Sequence, residues 1–148
     1  MAARYWQMPE TTAESFGADG WLSTGDVVER EPDGHLVLKA RKKDMYIQGG
    51  FNVYPAEVEA VLATHPGVAL AAGIGVPDQI YGEVGHYFVL AHPDAQLDPV
   101  ELRKWCEERL ASYKVPSVVQ VVTELPLTPA GKVAKAELRQ RLESGAAT

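Results

Sequence analysis

The sequence predicts a small α+β domain: an N-terminal β-hairpin, then a mixed sheet of about three strands flanked by helices. Three observations lead there. Two uninterrupted apolar runs, VALAAGIGV (68–76) and VGHYFVLAH (84–92), are rich in β-branched and aromatic residues and are separated by the turn-rich PDQIYGE, the pattern of buried strands rather than helices. Asp98, Pro99 and Glu101 open the best-signalled helix of the chain as a variant capping box. The order hairpin, strand, helix, strand, strand, helix, strand, loop, helix does not alternate as a doubly wound sheet would.

Each element follows from its residues. The opening MAARYWQMPETTAESFGADG is unlike a domain start; its short helical stretch, roughly Pro9 to Phe16, could bury little by itself and reads as the end of something else. DVVEREPDGHLVLKAR, from Asp26, alternates around Pro32-Asp33-Gly34, a hairpin signal because Pro presets one turn dihedral and Gly accepts the next. Met45 to Gln48 is a short strand ending in Gly49 and Gly50, where positive φ or close approach of another molecule becomes possible. Pro55 to Thr64 is a helix with Pro in its first turn, Glu57 and Glu59 near its positive end and Val58, Val61 and Leu62 on one face; His65-Pro66-Gly67 stops it. The two apolar runs follow as strands of a sheet with one covered face. The helix after Asp98 carries Leu102, Trp105, Cys106 and Leu110 as its apolar stripe, Ser117 to Val122 is a last strand, and a loop around Lys132 leads to a terminal helix, roughly Lys135 to Leu142.

Composition narrows the function. With 148 residues, 46% apolar and 23% charged, the chain can bury a core as one domain or slightly more. A net charge of −6 argues against nucleic acid as a partner, despite the basic knot of Lys39, Arg41, Lys42 and Lys43. No run approaches the ~20 apolar residues of a membrane span, and Met1 to Gln7 lacks a signal-peptide core, so a cytoplasmic protein is expected. The single Cys106 excludes an internal disulfide and reads as a buried core thiol.

Several chemistries fail on spacing. Gly131-Lys132 invites a phosphate-loop reading, but Pro126 stands where a glycine is required and Val133 where Ser or Thr is required. GIGVPD puts Asp78 where the third glycine of a dinucleotide fingerprint belongs. The four histidines have neither HExxH spacing nor a cysteine pair, so no metal site is expected from this chain. No serine sits in a G-x-S-x-G elbow. On residues alone, Lys132 reads as a solvated turn, Asp26 as a turn residue, Lys43 as a solvated charge and Gly49-Gly50 as a bulge.

Three segments, GWLSTGD, ARKKDMYIQGGFNVYPAEVE and LPLTPAGKVAKAELR, together resemble the last three motifs of the adenylate-forming superfamily of acyl-CoA synthetases, peptide-synthetase adenylation domains and luciferases. GGFNVYPAEVE and YWQMPETTAESF look more like an acyl-CoA ligase than a peptide-synthetase domain. The resemblance implies the C-terminal lid domain of an AMP-forming acyl-CoA ligase, which joins ATP, a carboxylic acid and coenzyme A into acyl-CoA, AMP and pyrophosphate. It implies that 1–42 are the tail of a large N-terminal adenylation domain plus a hairpin leading to the hinge, and that 43–148 are the lid. The partners implied are that large domain, which would carry Mg2+ and most of the ATP pocket, and a small carboxylic acid substrate. The chain alone is expected to be inactive.

The resemblance assigns residues as well. Lys132 corresponds to the lysine of the adenylation half-reaction, where a carboxylate meets an anionic phosphate and a cation relieves the repulsion. Asp26 corresponds to the acceptor of the ATP ribose hydroxyls and Arg41 to an arginine at the ribose or phosphate region; Ala40 departs from the family's glycine. Lys43 corresponds to the hinge about which the lid rotates, and Gly49 and Gly50 to the loop along which the pantetheine arm of coenzyme A slides. Lys39, Lys42 and Lys135 read as surface charges, and Trp105 and Tyr113 as packing. Two other readings stand beside this one: a free-standing binding module of the same fold, and an adenylating enzyme that loads a carrier protein.

Overall fold

A computed structural model describes residues 4–145, so parts of the Met1 to Gln7 stretch and of the tail after Glu143 lie outside the described residues. The chain forms two compact units that divide between Lys43 and Asp44.

The first unit holds α1 (Pro9–Ser15) and a hairpin of β1 (Asp26–Arg30) and β2 (Leu36–Arg41). Helix α1 buries none of its side chains, as expected for so short a segment. The strands pair antiparallel, Asp26 opposite Arg41 and Arg30 opposite Leu36. Their turn is closed by the Gly34 N–H donating to the Glu31 carbonyl at 2.9 Å. Gly34 takes φ +90° there, a conformation that a Cβ disfavours.

The second unit contains β3 (Tyr46–Gln48), β4 (Phe51–Val53), α2 (Pro55–Ala63), β5 (Val68–Asp78), β6 (Gly82–Ala91), α3 (Pro99–Glu107), β7 (Val118–Val122) and α4 (Lys135–Glu143). Its sheet has five strands in the order β4-β3-β6-β5, with β7 also pairing β6, wider than the expected three or so. The extra width comes from the two glycines: Gly49 at φ +57° and Gly50 at φ +86° make a two-residue turn that folds β4 back on β3. Strand β7 runs parallel to β6, which requires the crossover that α3 supplies.

The sheet is covered on both faces, not on one. Toward α2 and α3 it packs Ala71, Tyr87 and Val89 against Val58, Leu62 and Leu102. Toward α4 it packs Ala72, Ile74 and Phe88 with Leu125 and Leu138. Alternate residues of β5 and β6 thus serve opposite layers, which is why the two runs are continuously apolar instead of alternating. Fully buried Tyr46 and Tyr87 share a hydroxyl contact of 3.2 Å on the α2 side. Glycines clear room for these rings: a Cβ on Gly73 would lie 2.1 Å from the Tyr87 ring and one on Gly85 2.2 Å from Tyr46 Oη.

Asp98 caps α3 as expected, its Oδ1 accepting from the Val100 N–H at 2.8 Å, but among the described residues no bond from Glu101 back to the Asp98 N–H completes the box. Leu102 and Cys106 are buried, and burial pushes the Cys106 thiol up to about 11, so it stays protonated as an apolar filler. Trp105 lies beneath the Arg109 guanidinium at 3.5 Å and donates from Nε1 toward the Val61 carbonyl at 3.3 Å. Among the described residues no helix is long and apolar enough to cross a membrane.

Candidate functional site

In the first unit, Asp26 and Arg41 meet because their strands pair in that register. Arg41 Nε stands 2.7 Å from Asp26 Oδ1, yet the N–H is not directed at the oxygen, and Oδ1 is buried without a hydrogen-bond partner among the described residues. Arg41 Nη1 instead donates to the Thr24 carbonyl at 3.4 Å, and Thr24 Oγ1 accepts from the Asp26 N–H at 3.2 Å. The result is a carboxylate held in place by its own turn beside the Arg41 guanidinium, with Oδ1 closed off from solvent. Ala40 sits buried in β2 opposite Val27 without positive φ, so the methyl is accommodated in ordinary strand geometry. Lys43 is exposed in a single 3-10 turn, Lys42–Asp44, where the two units divide. Lys39 pairs with Glu29 across the hairpin at 2.7 Å.

In the second unit, Lys132 stands on a closed hairpin loop. The Thr128 N–H donates to the Lys132 carbonyl at 2.7 Å, and the Gly131 N–H to the Thr128 carbonyl at 2.8 Å. Leu127 and Val133 bridge antiparallel at its base. Gly131 takes φ +75°, which turns the chain so that Lys132 projects outward. The Lys132 side chain is exposed, and among the described residues its ammonium has no acidic partner. Such a charge is unspent: a compact ammonium on a rigid base, available to an anion.

The Gly49-Gly50 turn is a separate feature of the same unit. The Gly49 N–H donates to the Tyr81 carbonyl at 2.9 Å, and a Cβ on Gly50 would meet nothing within 4 Å. Both glycines are therefore demanded by their φ rather than by crowding, and the turn presents bare backbone outward. No hydrogen bond joins it to the Lys132 loop among the described residues. Exposed Ile47, Phe51 and Tyr81 lie on the flanking strands and the adjoining hairpin tip.

One group of residues escapes the sequence reading. Lys135 is no surface charge: its Nζ is 2.7 Å from Glu59 Oε1, and both side chains are about four-fifths covered, at 18% and 22% exposure. Glu59 Oε1 also accepts from the Gly73 N–H of β5 at 2.8 Å. The partners are 76 positions apart, so no local pattern could have found them. Tyr113 stacks on Phe51 at 4.6 Å, as packing. Among the described residues no group of three His, Cys, Asp or Glu side chains is placed to hold a metal ion.

Comparison with known proteins places this geometry. The profile of the AMP-binding enzyme C-terminal domain matches residues 57–132. A 3-[(3aS,4S,7aS)-7a-methyl-1,5-dioxo-octahydro-1H-inden-4-yl]propanoyl:CoA ligase of Rhodococcus jostii is 52% identical over 92% of this chain and 26% of its own length. A feruloyl-CoA synthase of Amycolatopsis is 47% identical over 93% of this chain and 28% of its own. The crystal structure of ATP-bound MatB from Rhodopseudomonas palustris superposes with a TM-score of 0.87 at 36% identity, covering 97% of this chain and 28% of that one. The chain thus spans about a quarter of the length of the curated relatives it matches.

Proposed function

This chain belongs to the AMP-binding enzyme C-terminal domain family, and from that premise we propose that it is the C-terminal lid of an AMP-forming acyl-CoA ligase. The observation that carries the reading is the state of Lys132: an ammonium without an acidic partner among the described residues, on a loop closed by its own hydrogen bonds, inside the family match. A cation left uncompensated on a rigid turn suits a reaction in which two anions must meet. In the adenylation half-reaction the ammonium would lie against the acid's carboxylate oxygen and the α-phosphate oxygens, lowering the repulsion between them. Preorganisation of the loop spares the enzyme the cost of ordering it at each turnover.

The other assigned residues divide the remaining work. The Asp26 carboxylate would accept from the paired hydroxyls of the ATP ribose, with the Arg41 guanidinium beside it keeping it oriented. Lys43, where the units divide, would serve as the pivot between the two half-reactions. The outward backbone of Gly49-Gly50 would then line the path of the pantetheine arm, where side chains would obstruct the thiol. Residues up to 42 would be the end of the large domain with its connecting hairpin, and those from 43 the lid. On this reading Mg2+ and the acyl pocket belong to the large domain, and the complete enzyme works in the cytoplasm.

The test is pyrophosphate exchange against a panel of carboxylic acids, followed by acyl transfer to free coenzyme A or to a carrier protein. The enzyme in which this lid is joined to its large domain should exchange pyrophosphate with at least one acid and form the thioester on free coenzyme A, whereas residues 1–148 alone should do neither. Transfer to a carrier protein only would replace the proposed acceptor. Binding without exchange by any combination would leave a non-catalytic module instead.

A further inference from the structure

We infer that Lys135 is a positioning residue, which fixes the Lys132 hairpin to α2, to the edge strand β5 and to the segment that follows the pivot; the inference rests on the adenylation reading of Lys132. The Lys135 ammonium is shared between two carboxylates, 2.7 Å from Glu59 Oε1 and 4.0 Å from Asp44 Oδ2. Asp44 is the first residue after the division between the units. Glu59 in turn accepts from the Gly73 N–H, a donor that β5, at the end of the sheet order, cannot give to another strand. One ammonium thereby ties together a helix, a sheet edge and the residue next to the hinge.

The tie is short enough to matter at Lys132. Between Lys132 and Lys135 there is no slack: Val133 bridges Leu127, the Ala134 N–H donates to the Pro126 carbonyl at 2.8 Å, and the Lys135 N–H donates to the Val133 carbonyl at 3.1 Å. The start of α4 has no side-chain cap, and Leu138 is the only residue of the helix that is buried, among the described residues. The buried anchor of α4 therefore lies three residues inside the helix, and the end that carries the Lys132 loop is held by the partly buried Val133 together with the ion pair. Coverage of both partners shields that pair from the screening that makes exposed pairs nearly worthless. A shift of the anchor moves the base of the loop, and displacement of a reacting group by about 1 Å can cost on the order of 10² in rate.

The experiment uses the complete ligase with four variants: Lys135→Met, Lys135→Arg, Glu59→Gln and, as comparator, Lys132→Ala. Adenylate formation, thioester formation from supplied acyl-adenylate and thermal unfolding are measured for each. Lys135→Met should lower adenylate formation between about tenfold and a hundredfold while sparing the thioester step. Glu59→Gln keeps an oxygen for the Gly73 N–H but loses the charge, and should fall alongside it; Lys135→Arg should recover most of the rate. Should Lys135→Met fail to fold, Glu59→Gln decides. Undiminished adenylation in Glu59→Gln and Lys135→Met, with Lys132→Ala inactive, overturns the positioning role alone. Equal loss in both half-reactions makes the pair merely structural and also overturns it. Normal adenylation in Lys132→Ala overturns the reading of Lys132 and this inference together.

Discussion

Thr128 and Lys132 close the loop upon themselves: the Thr128 N–H donates to the Lys132 carbonyl at 2.7 Å, and Thr128 Oγ1 accepts from the Lys132 N–H at 3.2 Å. The backbone of Lys132 is thereby fully engaged within four residues, and its side chain is left to project. Removing the ammonium should therefore cost chemistry and not folding. In the complete enzyme, Lys132→Ala should lower adenylate formation by on the order of 10²–10³, with thioester formation from supplied adenylate largely spared. Pyrophosphate exchange and a coenzyme A chase measure the two steps; equal loss in both contradicts the role.

Lys43→Pro should do the reverse. Proline locks φ near −65° and would restrict a residue proposed to pass between two backbone states. Adenylate should still form and its transfer to coenzyme A should slow, as followed by chasing preformed adenylate. Unchanged transfer removes Lys43 from the pivot.

At Gly50 the strain is conformational alone, because φ is +86° and the space for a Cβ is open. Gly50→Val should destabilise the folded chain by about 1–2 kcal/mol or more. Gly50→Asn should cost less, since asparagine tolerates left-handed backbone. Urea midpoints compare the two, and equal cost would mean that the turn relaxes.

The Tyr46–Tyr87 hydroxyl pair is buried, and burial raises both phenols above their ordinary range, so neither ionises at neutral pH. Either single change to Phe should cost about 1–3 kcal/mol by stranding the partner's hydroxyl. The double change should cost less than the sum of the singles. Additive losses in a double-mutant cycle would deny the coupling.

His86 stacks on Phe88 at 4.6 Å and meets Gln120 at 3.1 Å, and burial holds its imidazole below the ordinary range while the Gln120 bond partly opposes this. The unfolded chain therefore takes up the proton first, and unfolding free energy should fall as pH drops below about 6.5. The decline from this residue ends once pH passes below its folded-state value. Denaturant midpoints across that window should be less pH-dependent in His86→Gln; an identical slope would assign the dependence to other groups.

Much of the fold is legible in the chain because its signals are local. Asp98 caps α3 as its position announces, Pro32-Asp33-Gly34 turns the first hairpin, and Val68 to Val76 pairs with Val84 onward. The covering of the sheet is less legible. A continuously apolar strand says that both sides are dry without saying what dries them, and α4 had to pack on the second face before that became visible. The return of β4 was hidden for a related reason: paired glycines permit a tight turn as well as a bare loop, and only pairing with β3 distinguishes these.

By itself the sequence determined the α+β class, the starts of the helices, and the family, through three motifs whose order survives in the linear chain. Tertiary structure alone decided that Asp26 Oδ1 is buried beside Arg41, that Gly73 and Gly85 exist to admit tyrosine rings, and that Lys135 is bound to Glu59. The physical reason is range. Caps, turns and periodicity are set by neighbours a few residues away, whereas coverage, charge pairing and a clash with a ring depend on segments that meet only when the sheet and helices have closed around them.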